Sequence, residues 1–264
     1  RFLILLPSSF FAINNAISLR YPLSAENLVR TTSLPLSKMK SEHVEELTQI
    51  DPIQASMMSE QCIVVDQNDK IIGSKSKVEA HLCKEGLALH RAFSIFLFDT
   101  NDRMLLQKRA HAKHTFPSLW TNSCCSHPLF VDGEMGNGFF ESSIECTKRA
   151  AIRKLEQEIG VQSSKLSMND LVFMTRILYK AESDDRIWGE HEIDYVYIIR
   201  KDLDVIPNPN EVEELIYVDR NQLKEMMATE KFTPWSKYII QNFVFKWWEM
   251  INDQQKLEAM SDKS

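Results

Sequence analysis

Alternation of apolar and polar positions with a period of two, the mark of a half-buried strand, recurs along this chain from residue 61 onward. Gln61 to Asp66 predicts a strand, Gln67-Asn68-Asp69 a turn, and Lys70 to Ser74 a returning strand. Ala92 to Asp99 is almost wholly apolar, as in a strand covered on both faces. The Thr100-Asn101-Asp102 turn leads from it into a partner over Met104 to Lys108. Leu171 to Tyr179, Ile193 to Arg200 and Glu214 to Val218 are also strand-like. The helical period governs Phe139 to Ile159, where Ile144, Ala151, Leu155 and Ile159 recur at helical spacing and Gly160 is placed to end the helix. Gln222 to Met227 predicts a short helix, and Trp235 to Met250 an apolar one with Pro234 at its first turn. Strands mixed with a few helices, without strict βαβ alternation, predict an α+β fold.

The first forty residues break this pattern. They carry Arg1, Arg20, Arg30, Lys38 and Lys40 against Glu26 alone, are rich in Ser, Asn and Leu, and are interrupted by Pro7, Pro22 and Pro35. That composition suits either a mitochondrial transit peptide or a disordered extension. Ser41 to Met58 reads as a polar helix with Ser41 as N-cap, broken at Pro52. The expected division is an extension over 1–40, a helical lead-in over 41–60 and a folded domain over 61–264.

Composition narrows the function. The chain has 264 residues, 44% hydrophobic and 26% charged, with a net charge of -6. This is globular composition and excludes a disordered or collagen-like chain. The apolar run Phe2 to Leu6 stops at Pro7, far short of the about 20 residues a membrane span requires. An acidic chain is a poor non-specific binder of nucleic acid. Five cysteines without a C-x-x-C pair exclude a disulfide scaffold and point to reduced thiols.

Four features carry chemistry. In Thr121-Asn122-Ser123-Cys124-Cys125-Ser126-His127-Pro128, adjacent thiols on a strand must face opposite ways. Cys125 and His127 share a face, so this thiol can be tuned for acid–base or nucleophilic work, whereas Cys124 reads as a small buried hydrophobe. In Trp188-Gly189-Glu190-His191-Glu192, Glu190 and Glu192 also share a face. That is either a solvated strand face or a pair of carboxylates gathered around a cation, with His81, His90 and His127 as further ligands. His111, His114 and His191 have weaker claims, and His43 is read as solvent-exposed. Lys77, Arg109 and Lys113 would together clamp a phosphate, although each alone would be a solvated charge. The fourth feature, Arg153 to Val161, resembles the end of the Nudix signature, R-E-U-x-E-E-x-G-U with U aliphatic. Lys154 and Gln157 replace two of its glutamates and Glu158 remains. The resemblance implies a Nudix-like α/β/α sandwich, with a mixed β-sheet and flanking helices, no longer equipped to hydrolyse a diphosphate.

Taken in order, Lys77-x-x-x-His81, Leu89-His90-Arg91-Ala92-Phe93, the Cys-Cys segment, Trp188-Gly189-Glu190-His191-Glu192 and Thr233-Pro234-Trp235 resemble the type I isopentenyl-diphosphate delta-isomerase family. The resemblance runs from about Cys62 to Trp248, and the Cys-Cys pair is similar to that of animal members. It implies interconversion of isopentenyl and dimethylallyl diphosphate through a tertiary carbocation, for isoprenoid and sterol precursors. It further implies that Cys125 and Glu192 transfer the protons, their order left open, with Tyr179 hydrogen-bonded to Glu192. His81, His90, His127, Glu190 and Glu192 would hold a buried divalent metal (Mg²⁺, Mn²⁺ or Zn²⁺), and Glu158 a diphosphate-bridging Mg²⁺. Lys77, Arg109 and Lys113 would grip the diphosphate, while Trp235 and Trp120 line the isoprenoid pocket. The aromatics of the last long helix, Phe243, Phe245, Trp247 and Trp248, read mostly as core. A small-molecule diphosphate substrate, a monomer and a cytoplasmic or peroxisomal location follow, with mitochondria the alternative that the first forty residues suggest. The competing functions are a Nudix diphosphate hydrolase and a non-enzymatic binding protein.

Overall fold

A computed structural model describes residues 3–5 and 52–263. Most of the 1–40 extension, the lead-in up to residue 51 and His43 lie outside the described residues.

The long strands form where the alternation predicts them. In chain order they are β1 (Leu3–Leu5), β2 (Gln61–Val65), β3 (Ile71–Ser76), β4 (His90–Phe98), β5 (Met104–Arg109), β6 (Trp120–Thr121), β7 (Cys124–Ser126), β8 (Val172–Glu182), β9 (Gly189–Arg200) and β10 (Val212–Val218). The sheet runs β1-β8-β9-β4-β2-β3, with β7 and β5 also paired to β4, and β10 and β6 paired to β5. β4 and β9 are parallel and the other pairs antiparallel, so the sheet is mixed. Helices α1 (Pro52–Met57), α2 (Lys77–His81), α3 (Asp132–Met135), α4 (Phe140–Ile159), α5 (Arg220–Thr229), α6 (Pro234–Ile239), α7 (Phe245–Trp248) and α8 (Gln254–Ala259) flank it.

Strand alternation divides the core in two. On β4, Phe96 and Phe98 join a cluster with Tyr179, Trp235, Trp247 and Trp248. Phe93, Ile95 and Leu97 face the other way, toward Leu155 and Ile159 of α4. Gly160 ends α4 in the left-handed region at φ 68, and a Cβ there would lie 2.7 Å from the Ile206 carbonyl oxygen, so no other residue fits.

Two local outcomes depart from periodicity. The continuous helix predicted over Trp235–Met250 is α6, a π-helical turn over Ile240–Val244, and α7. Trp247 and Trp248 are buried there as core. Five-residue α2 is too short to show a period, but Ser76 and Glu79 cap it reciprocally.

Candidate functional site

His81 is carried by α2, His90 opens β4, His127 follows β7, and Glu190 and Glu192 sit two apart on β9. The parallel register sets His90 beside Glu192. One ligand atom from each of the five falls within 4.8 Å of the others, and all five residues are buried or nearly so. Nδ1 of His81 and Nδ1 of His90 each lie 2.7 Å from a backbone carbonyl, of Lys77 and Ala88 respectively. A carbonyl only accepts, so both Nδ1 atoms carry hydrogen and a neutral ring turns its Nε2 lone pair inward. His81 Nε2 lies 2.8 Å from Glu190 Oε2, and His90 Nε2 lies 3.6 Å from Glu192 Oε1. While the rings are neutral, acceptor faces acceptor, and His90 Nε2 and Glu190 Oε2 are buried without a hydrogen-bond partner. Burial disfavours charge on His81, but Glu190 outweighs it and raises the pKa. Burial, with His90 and His81 alongside, holds His127 well below the usual range. A divalent cation would satisfy all of these groups together, so the donor set of imidazole nitrogens and carboxylate oxygens fits such an ion.

Glu192 is also tied to β8. Tyr179 stands opposite it in the register, and its hydroxyl donates to Glu192 Oε2. Burial acts to raise the Glu192 pKa, but the nearby His90 imidazole and the Tyr179 hydrogen bond prevail and lower it.

The two cysteines divide as alternation requires. Cys124 is fully buried in the α4-side core, its Sγ 3.5 Å from Glu158 Oε2. Cys125, half-buried, lines a cavity with His81, His127, Glu190, Glu192, Tyr179 and Trp235. Burial pushes its thiol up to about 12 against the opposing effect of Arg109, so the thiol keeps its proton at neutral pH. Arg109 Nη1 lies 3.7 Å from that sulfur, and its guanidinium carbon lies 5.6 Å from the Trp235 ring centroid. The other Arg109 nitrogens donate to the carbonyls of Thr115 and Phe116 at 2.8–3.2 Å. Those carbonyls are aimed by a loop in which Phe116 and Ser118 take φ of 50 and 58, conformations that non-glycine residues adopt sparingly.

Lys77 and Lys113 line the same cavity, each held by a carboxylate: Lys77 Nζ lies 2.5 Å from Glu60, and Lys113 pairs with Glu211. Burial acts to raise the Glu211 carboxyl, but Lys113 and Lys154 overcome it and hold it down at about 2. Gln54 of α1 reaches Glu211 Oε1 at 3.1 Å, which docks that helix on the cavity.

Of the residues predicted for the site, Trp120, Glu158 and His90 do not line the cavity. Along β6, Thr121 turns its hydroxyl toward Cys125 (4.0 Å), while Trp120 joins the hydrophobic cluster that contains Phe116 and Trp235 and does not line the cavity. Glu158 is also off the cavity wall, 3.2 Å from Lys154 Nζ, and Lys154 itself lines the cavity. The sequence shows Lys154 only as a lost carboxylate. Its burial as a cation, and the roles of Glu60, Glu211 and Gln54, depend on packing that no local pattern reveals.

The NUDIX domain family matches residues 88–243. An isopentenyl-diphosphate delta-isomerase of Aspergillus fumigatus is 47% identical over 220 residues, covering 78% of each chain. Isopentenyl-diphosphate Delta-isomerase 1 of Mesocricetus auratus is 43% identical over 225 residues, covering 80% of this chain and 96% of that one. The solved NUDIX hydrolase from Alicyclobacillus acidocaldarius is 11% identical at a TM-score of 0.47, over 65% of this chain and 96% of that one.

Proposed function

Since the chain belongs to the isopentenyl-diphosphate delta-isomerase family, built on a Nudix domain, we propose that its cavity is where isopentenyl diphosphate is isomerised, with Cys125 and Glu192 carrying the protons. The enzyme interconverts isopentenyl and dimethylallyl diphosphate in isoprenoid biosynthesis. The observation that carries the site assignment is the convergence on one cavity of a protonated thiol, a hydrogen-bonded carboxylate and three basic side chains.

The chemistry requires this combination. An alkene is a weak base, so protonation at C4 needs an acid held against it. The positive charge then rests on C3, and loss of a proton from C2 completes the shift. Cys125 and Glu192 supply one group for each transfer, and Tyr179 fixes the Glu192 carboxylate. The Trp235 face stabilises the cation by up to about 2 kcal/mol in a desolvated pocket. The surrounding apolar cluster keeps out water, which would capture the cation as an alcohol. Lys77, Arg109 and Lys113 hold the diphosphate, and the two lysines must first leave Glu60 and Glu211.

His81, His90, His127, Glu190 and Glu192 would hold a divalent ion that sets the basicity of Glu192, and Glu158 would hold a Mg²⁺ that neutralises diphosphate charge. The imidazole and carboxylate donors of the first site suit Mg²⁺, Mn²⁺ or Zn²⁺. All five cysteines are free, which suits a reducing compartment such as cytosol. Among the described residues no helix is long and apolar enough to cross a membrane.

Incubation with isopentenyl diphosphate and Mg²⁺ should yield the acid-labile dimethylallyl product. Metallated protein that yields none would sink the proposal, and phosphate release in its place would indicate hydrolysis.

A further inference from the structure

His114 sits on the loop between β5 and β6, directly after Lys113, and lines the cavity. Its ring stacks on Trp188 with centroids 5.2 Å apart and planes 30° from parallel, which constrains the plane of the ring. Nε2 is shut off from solvent and has no hydrogen-bond partner. His114 is not a member of the His81, His90, His127, Glu190 and Glu192 cluster. A buried nitrogen without a partner, on a residue that lines a cavity, is a common mark of an absent ligand.

The loop that carries it is tied to the basic clamp. Arg109 holds the carbonyls of Thr115 and Phe116, the next two residues, so His114 is positioned relative to that guanidinium. Burial, aided by Lys113 and His81, holds the imidazole down at about 4. The ring therefore adds no charge at neutral pH. It has one N–H, which either nitrogen can carry according to the partner presented.

We propose that His114 is a further anion-binding residue of this site, donating Nε2–H to a diphosphate oxygen gripped by Lys113 and Arg109. The inference rests on the cavity being a diphosphate site. The ring contributes direction where the lysines contribute charge, so its removal should weaken ground-state binding of the diphosphate more than the proton transfers.

His114→Phe keeps a ring over Trp188 and removes the nitrogen, while His114→Gln restores a donor. With inorganic pyrophosphate and Mg²⁺ as the calorimetric probe on the full chain, the Phe variant should bind roughly tenfold more weakly and the Gln variant should recover most of that loss. KM for isopentenyl diphosphate should follow the same order, with kcat moving far less. Wild-type pyrophosphate affinity in the Phe variant would overturn the proposal, as would equal weakening in both variants. In the unaltered protein, the His114 Nε2 nitrogen resonance should shift as pyrophosphate is added, and an unmoved resonance at saturation would also overturn it. Pyrophosphate titration needs no turnover, so a wild-type chain inactive on isopentenyl diphosphate would refute the isomerase reading while the titration still decided His114.

Discussion

Two buried polar clusters lie on opposite faces of the same strands, and they differ in whether their groups are paired. His90 and Arg91 are neighbours on β4, yet alternation sends them to different clusters. Arg91 enters a closed network in which its Nε donates to Asp69 Oδ1 at 2.8 Å, and its other nitrogens donate to the carbonyls of Asp69 and Met135. Arg176 and the Tyr195 hydroxyl take the second Asp69 oxygen. His90 enters the imidazole and carboxylate cluster, where Nε2 has no partner and acceptors face acceptors. Leaving buried polar groups unpaired is costly. A cluster that satisfies itself holds the fold, and one that does not is waiting for something to bind.

The comparison is tested most severely at the cavity thiol. Cys125→Ala should lower kcat by about 10³-fold, in the range of a lost general acid or base, with little change in melting temperature. Turnover within tenfold of wild type would remove Cys125 from the chemistry.

Stripping divalent ions with a chelator comes next. Activity should fall by more than about a hundredfold, and a divalent ion should restore it. The unpaired cluster should also lose stability. An ion at a hundred times its Kd stabilises by about 2.7 kcal/mol, or several degrees in Tm for a domain of this size. Elemental analysis should find the ion lost from chains in which His90 is replaced by Gln. An unchanged Tm on stripping would mean that the cluster is satisfied by protons alone.

The closed network should behave in the opposite way. Asp69→Ala leaves Arg91 buried and uncompensated, a loss of about 3–5 kcal/mol measurable by denaturant midpoint. Among molecules that remain folded, kcat should stay within about twofold. A large fall in kcat with stability intact would show the two faces to be coupled, and the contrast between them would fail.

Much of this division is legible in the sequence, because alternation is a local property. It separates Cys124 from Cys125 and aligns Glu190 with Glu192, and the structure keeps both arrangements. Motif resemblance supplies what alternation cannot, namely that His81, 46 positions before His127 in the chain, meets the same carboxylates. What stays hidden arises from packing. Lys154 looks like a missing metal ligand until α4 lies against the sheet, where the residue becomes a buried cation paired with Glu158. His114 is an ordinary loop residue until the left-handed turns at Phe116 and Ser118 fold that loop onto the cavity. Trp120 looks like a pocket aromatic beside the Cys-Cys segment, but β6 pairs with β5 and faces its ring into the core.

The smallest effect is expected one residue from the largest. Cys124 lies on the α4 side of β7, where burial and the nearby Glu158 raise its pKa well above the usual range and leave it an inert thiol. Cys124→Ala should cost about 1 kcal/mol through the lost sulfur and keep kcat within about threefold. The contact of its thiol with Glu158 Oε2 makes the result informative. Should kcat at low Mg²⁺ fall in Cys124→Ala and return in Cys124→Ser, the thiol would be orienting the carboxylate assigned to the bridging ion. The core side of β7 would then also serve the site. Equal losses of kcat for Cys124→Ala and Cys125→Ala at saturating Mg²⁺ would contradict the assignment of the two faces, because a single reacting thiol cannot point both ways from one strand.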